Sequence, residues 1–294
     1  MDKNHFFAII SQQAGHYQKS LIPEISAVFQ REGRIVDFYS YEDNVRLREV
    51  LNQAQNAGYY SFLVAGGDGT TGLVASSIFQ RPHRLGIIPV GTTNTIARLL
   101  DIPLTIKSSI EVAACSENVR SVDGLGVDDR LFILNVSLGL TSISLDNVNA
   151  EHKSKFGILA YILGIVRNSN RIKTHKYQVW VDGKTFNTRA IELHVTNTGI
   201  IGMPRFSIYR ESRFDDGIAE ILMLRRWSIK EIFNAILDIL VVRKRQAIRL
   251  IARGEEILIR SNVPVAVQAD GDIIQNTPVK INVRHQAINF IVPE

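Results

Sequence analysis

The sequence predicts an α/β N-terminal domain with a parallel sheet and nucleotide-binding Gly-rich loops. A β-rich, antiparallel sandwich-like C-terminal domain follows it. Three observations carry this. Short apolar runs alternate with helical patterns through the first third of the chain. Two of those runs end in glycine-rich turns that open helices. Near residue 120 the rhythm changes to short strands bounded by turn residues. The boundary is expected at about 118–125, giving domains over 1–120 and 121–294.

Phe6–Ile10 reads as a buried parallel strand, and Leu21, Ile25, Val28 and Phe29 recur at helical spacing. A second strand is expected over Ile35–Tyr39. Asp43 or Asn44 caps the next helix, whose face is Leu47, Val50, Leu51 and Ala54. Ser61–Ala65 and Leu85–Ile88 read as the third and fourth strands, each leading into a Gly-rich turn and a helical pattern. Such alternation with short loops argues for a parallel sheet covered on both faces, with ligands at the carboxyl ends of its strands.

Beyond the boundary, strands are expected at Leu131–Ser137, Tyr177–Val181, Ala190–Thr196 and Ala219–Leu224, then near 256–260, 264–269, 278–283 and 287–292. Asp128-Asp129 and Asp182-Gly183 are hairpin-turn candidates. Two helices interrupt the strands, near 152–168 and 228–247.

The 294 residues are 45% hydrophobic and 21% charged, a globular balance that excludes wholesale disorder. Cys115 is the only cysteine, so neither an internal disulfide nor a cysteine-based metal site can form. Seven histidines lie without ligand spacing. The N-terminal residues lack the apolar run of a signal peptide, and no apolar stretch approaches a membrane span. These features lead us to expect a cytoplasmic protein. The net charge of +5 favours anionic partners or serves solubility alone.

Two loops carry the chemical signal. Ala65-Gly66-Gly67-Asp68-Gly69-Thr70-Thr71 follows an apolar strand and precedes a helix pattern. Its glycines leave backbone amides open to close approach, and a helix N-terminus favours phosphate. Asp68 stands where a carboxylate could hold Mg2+ on phosphate oxygens. A plain tight turn with a helix cap is the alternative. No Gly-Lys-Ser/Thr follows, so this is not a Walker A loop. The second loop, Pro89-Val90-Gly91-Thr92-Thr93-Asn94, also ends a strand and opens a helix. Loops ending successive strands should face one crevice.

This pair resembles the catalytic domain of the diacylglycerol kinase family, which includes sphingosine and ceramide kinases and bacterial soluble lipid kinases. The family pattern is Gly-Gly-Asp-Gly-Thr, then Pro-x-Gly-Thr-x-Asn-Asp-x-Ala-Arg. Further matches are Phe132-Ile133-Leu134-Asn135 with Gly139, Phe214-Asp215-Asp216-Gly217, and Ala269-Asp270-Gly271-Asp272. The sequence departs from the pattern in three places. Ser11-Gln12-Gln13-Ala14-Gly15 stands for Asn-Pro-x-Ser/Ala-Gly. Asn94-Thr95 stands for Asn-Asp, and Asp272 for the family's glutamate.

The resemblance implies an ATP-binding domain, a lipid-recognition domain and an active site between them. It implies ATP and Mg2+ as cofactors. The nucleotide would be held by Gly15, Gly66, Gly67, Asp68, Gly69, Thr70, Thr71 and Thr92, with Asn94 orienting its loop. Asp272 would accept the proton of the substrate hydroxyl, with Asp270 as a partner on the same strand face. Asp68 would hold Mg2+ at the phosphates. A second, structural Mg2+ would be bound by Asp216 and by carbonyls near Arg213 and Ile218. Read without the family, Asp270-Gly271-Asp272 and Asp215-Asp216-Gly217 are also plain turns.

The implied function is an ATP- and Mg2+-dependent lipid kinase acting on a hydroxyl of a diacylglycerol or sphingoid-like lipid. The rivals are a kinase of a soluble alcohol and a weakened nucleotide- or lipid-binding protein. NAD kinases share Gly-Gly-Asp-Gly-Thr, but Pro-Val-Gly-Thr-Thr-Asn favours the lipid branch. The expected partner is a lipid at a membrane surface, not nucleic acid, and homodimerisation is compatible with the sequence. Peripheral membrane contact is assigned to Leu237, Ile239, Leu240 and Val242 followed by Arg243-Lys244-Arg245, Arg249 and Arg253. The alternative is a packed helix ending in solvated cations. Lys153, Lys155, Arg167, Arg171 and Lys173 form a second basic stretch.

Overall fold

The computed structural model describes residues 2–41, 43–139, 173–198, 212–225 and 248–294. The expected helices near 152–168 and 228–247, the segment Leu237–Arg245 and the basic residues 153–171 lie outside this set. The chain divides into two units, Met1–Gly124 with Arg284–Glu294, and Leu125–Val283.

In the first unit, β1 (His5–Ser11), α1 (Leu21–Arg31), β2 (Ile35–Tyr41), α2 (Asn44–Asn56), β3 (Ser61–Gly66), α3 (Asp68–Ile78), β4 (Arg84–Pro89), α4 (Thr95–Leu99) and α5 (Ile106–Cys115) succeed one another. Strand order runs β2-β1-β3-β4, and every pairing is parallel. All six residues of β3 are buried, as a central strand covered on both faces requires. Strand alternation turns Phe6, Ala8 and Ile10 toward Leu21, Ile25 and Phe29 of α1 and Ile110, Ala113 and Ala114 of α5. Each large side chain so buried contributes about 2 kcal/mol. Asp43 caps α2 by accepting the Val45 and Arg46 amides at 3.0 and 2.9 Å. Helix α5 is absent from the sequence reading.

The strand β5 (Val119–Val127) leads into the second unit. There follow β6 (Arg130–Phe132), β7 (Asn135–Gly139), β8 (His175–Val181), β9 (Lys184–Ala190), β10 (Glu192–Thr196), β11 (Ala219–Leu224), β12 (Ile248–Gly254), β13 (Glu256–Ser261), β14 (Ala266–Ala269) and β15 (Asp272–Asn276). Every pairing inside this unit is antiparallel. One sheet has the order β12-β11-β10-β7-β14-β15, and another contains β13-β8-β9. Val179, Val181, Ile257 and Ile259 pack with Val136, Leu138, Leu193, Val195, Ile221 and Val267 in one sandwich core. Asp182 and Gly183, both at positive φ, form the two-residue turn between β8 and β9.

Two strand expectations need correction. Leu131–Ser137 is not one strand but β6 and β7, because the amides of residues 133–135 turn away from strand pairing to a carboxylate described below. The segments 278–283 and 287–292 are one strand, β16 (Val279–Ile291). Its first part pairs antiparallel with β13, while Asn289 and Phe290 pair parallel with Arg84 and Leu85 of β4. The last eleven residues therefore complete the parallel sheet of the first unit, a return that a single boundary at residue 120 does not anticipate.

Candidate functional site

Three loops meet at the carboxyl ends of β1, β3 and β4. After β1, the His16 amide donates to the Val90 carbonyl at 2.9 Å, and its ring Nδ1 donates to the Gly91 carbonyl at 2.9 Å. A Cβ on Gly15 would lie 3.4 Å from Thr92 Oγ1, so the first loop touches the third. A Cβ on Gly91 would lie 2.4 Å from the Gly67 Cα, so the second and third loops touch through bare backbone. The pattern of glycines is thus a packing requirement. Gly69 differs, because a Cβ there would meet nothing within 4 Å. The space above the first turn of α3 is open.

Asp68 and Asn94 fix this arrangement. Asp68 is the first residue of α3, and its Oδ1 accepts the Ile96 amide at 2.9 Å, near the start of α4. One carboxylate thereby serves the N-terminal ends of two helices, where negative charge is favoured. Asn94 adopts the left-handed region at φ 49° and is buried. Its Oδ1 accepts the Gly91 amide at 3.0 Å, and its Nδ2 donates to the Gly91 carbonyl at 2.8 Å. These bonds tie the Asn94 side chain to its own loop at Gly91. The Thr71 amide bonds the Gly67 carbonyl, but the amides of Asp68, Gly69 and Thr70 donate to no described residue. Thr92 is exposed beside them.

In the second unit, Asp270 and Gly271 form a two-residue turn joining β14 to β15, both at positive φ. The Asp270 carboxylate accepts three amides, from Ile133 at 2.7 Å, Leu134 at 2.9 Å and Asn135 at 3.0 Å. This is what breaks β6 from β7. The expectation that Asp270 and Asp272 share one face of a strand is corrected, because Asp270 occupies the turn. Asp272 opens β15 opposite Ala269 and is exposed. The two carboxylates have different surroundings, one tied to backbone and one reaching solvent.

Asp216 accepts the Ile218 amide at 3.1 Å, and its Oδ2 lies 3.3 Å from Arg253 Nη2. Arg253 also bonds Glu220, which is fully buried and accepts the Ser212 hydroxyl at 2.6 Å. Burial pushes the Glu220 carboxyl above the ordinary carboxylate range, while Ser212 and Arg253 oppose that rise. Arg213 is exposed and pairs with Asp215 at 3.2 Å. Asp216, where the resemblance implies a second Mg2+ beside the carbonyls of Arg213 and Ile218, thus shares its carboxylate with a guanidinium. Among the described residues no three His, Cys, Asp or Glu side chains gather as a metal cage. Arg253 is thereby removed from the basic membrane cluster: it lies on β12 in an ion pair.

The sequence reading missed His16 and the Glu220–Arg253 pair. Adjacency to Gly15 was the available signal for His16. No local signal marks Glu220, whose partner lies 33 residues away.

Comparison with known proteins adds to this geometry. Residues 5–127 match the family described as Diacylglycerol kinase catalytic domain. Residues 135–292 match the YegS C-terminal NAD kinase beta sandwich-like domain. A Streptococcus pneumoniae protein named "Putative lipid kinase" is 29% identical over 87% of this chain and 89% of its own length. A Staphylococcus carnosus protein named diacylglycerol kinase is 25% identical over 73% of this chain and 70% of its own. The crystal structure of a diacylglycerol kinase from Bacillus anthracis shares the fold, with a TM-score of 0.80 at 21% identity, covering 100% of this chain and 98% of the other.

Proposed function

Because this chain belongs to the diacylglycerol kinase catalytic-domain family with a YegS-type C-terminal domain, we propose that it is an ATP-dependent lipid kinase. Its substrate is a lipid hydroxyl of the diacylglycerol or sphingoid class. The observation that carries the reading is the meeting of three loops at adjacent strand ends. Gly67 and Gly91 lie in backbone contact there, and the amides of Asp68, Gly69 and Thr70 have no acceptor in the described chain. Donors on an open helix N-terminus suit phosphate oxygens.

The residues present fit a nucleotide at this point. The amides of Asp68, Gly69 and Thr70 hold phosphate, and Thr92 and Gly15 border it. Asp68 fits a single-carboxylate contact to nucleotide-borne Mg2+, since one of its oxygens is committed to Ile96 and the other to no described residue. Mg2+ there would neutralise charge on the phosphates. Asn94 and His16 keep the third loop in place, so little order has to be gained at the moment of binding. Asp272 takes the proton of the attacking lipid hydroxyl. Asp270 is a positioning residue, fixing the turn from which Asp272 projects.

The test is incubation of the full chain with labelled ATP, Mg2+ and a mixed lipid extract, with products identified by mass. The expected result is a lipid gaining one phosphoryl group with release of ADP. ATP turnover without any phosphorylated lipid, or no turnover with any lipid class, overturns the reading.

A further inference from the structure

A groove of about 660 Å³ in the second unit runs along β9, β8 and β13 and reaches Met223 and Arg225 at the end of β11. Among its lining residues are Lys176, Gln178, Asn187, Arg189, Arg225 and Arg260, and none of the described lining residues is a carboxylate. None of the four cations makes an ion pair with a described residue. Lys176 and Arg189 are directly opposed across the β8–β9 ladder, and Arg260 faces Gln178 across β8–β13. Directly opposed like charges destabilise a sheet. Four cations gathered around one groove, with no described carboxylate paired to them, are a cost that an anion bound there would offset.

The surroundings favour one kind of anion. The loop after β13 begins with Asn262, which lines the groove, and continues into Val263, 45% exposed, and exposed Pro264. On the same sheet the half-buried Trp180 and Leu258 are paired across β8 and β13. Lys280 lies beside them with Glu256 at 3.9 Å. Cations around a small apolar tip, with an indole alongside, are the make-up of a surface that rests on lipid. We propose that this face docks on anionic phospholipid, with Lys176, Arg189, Arg225 and Arg260 contacting headgroup phosphates and Val263 entering the interface. The inference rests on the lipid kinase reading for its purpose, and its test needs no turnover.

The experiment is co-sedimentation of the full chain, without nucleotide, with vesicles of phosphatidylcholine alone or containing phosphatidylglycerol. The comparison variant is Lys176→Gln/Arg189→Gln/Arg260→Gln, with Val263→Asp as a second probe. Wild type should bind the anionic vesicles and release them as salt rises. The triple variant should bind about 10²-fold more weakly, a factor of about five per cation. Its melting temperature should be unchanged or raised, because a like-charge pair is relieved. Equal binding by both proteins overturns the inference. So does competition by millimolar glycerol phosphate, which would make the groove a small-anion site, or tighter binding of single-stranded DNA lost in the same variant. Vesicle binding in a chain that phosphorylates no lipid would leave this inference standing and remove only the kinase reading.

Discussion

Asp68 accepts the backbone amide of Ile96 at 2.9 Å, so the first residue of α3 holds the opening turn of α4. The carboxylate that the family resemblance gives to Mg2+ is also a clasp between two loops. Asp68→Asn keeps an oxygen for Ile96 while removing the charge. It should abolish phosphoryl transfer and leave the melting temperature within experimental error. Asp68→Ala should lose activity and also about 1 kcal/mol of stability, the value of a helix-cap bond. A folded Asp68→Asn protein with normal turnover would remove the metal role.

Gly91→Ala puts a Cβ 2.4 Å from the Gly67 Cα and forces two loops apart. We expect at least a tenfold loss of nucleotide affinity, measured by calorimetry. Gly69→Ala meets nothing within 4 Å in the free protein, so its stability should be unchanged. Its nucleotide affinity should still fall, because the methyl occupies the open space that phosphate needs. Normal affinity for both variants would place the nucleotide elsewhere.

The two carboxylates of the β14–β15 turn should separate cleanly. Asp270→Ala leaves three amides without their acceptor and should cost about 3 kcal/mol or more in urea denaturation. Asp272→Asn should leave stability unchanged and lower kcat about 10²-fold or more, the usual contribution of a general base. Asp272→Glu should keep or raise activity. Harmless substitution at 272 would end its assignment as the base.

Glu220 sets a pH dependence whose sign is fixed by burial. Its folded-state pKa is raised, so its contribution to stability is complete below the unfolded carboxylate value and is lost as pH rises through the folded one. The stability difference between wild type and Glu220→Gln should therefore fall from mildly acid to neutral pH. Arg253→Met removes a counter-charge, raises that pKa further and carries the fall to higher pH. It should cost about 2–3 kcal/mol at neutral pH, less than a fully buried pair because Arg253 is 33% exposed. A difference that grows with pH would contradict the account.

Legibility followed the range of the interactions. β1, β3 and β4 were readable because a strand buried on both faces is a continuous apolar run, as in Phe6–Ile10. The loops at 66–71 and 89–94 were readable because glycines and helix starts are local signals. Helix α5 escaped because its small residues, Ser109, Ala113 and Ala114, give little contrast between faces. The β6–β7 break escaped because its cause, Asp270, lies some 135 residues downstream. The Asp216 site was legible as a turn, but its charge balance was not, because Arg253 arrives from another strand.

The course of β16 bears on how the chain is made. Phe290 pairs with Leu85, the Ser116 hydroxyl donates to the Val292 carbonyl at 2.6 Å, and the Gln286 amide donates to buried Asp123 at 2.7 Å. During synthesis β4 is exposed as a bare sheet edge while the ribosome adds every residue of the second unit. Bare edges invite pairing with other chains. The nascent first unit is thus incomplete until the final segment emerges, and a messenger truncated anywhere before residue 284 should yield an aggregating fragment rather than a smaller folded one.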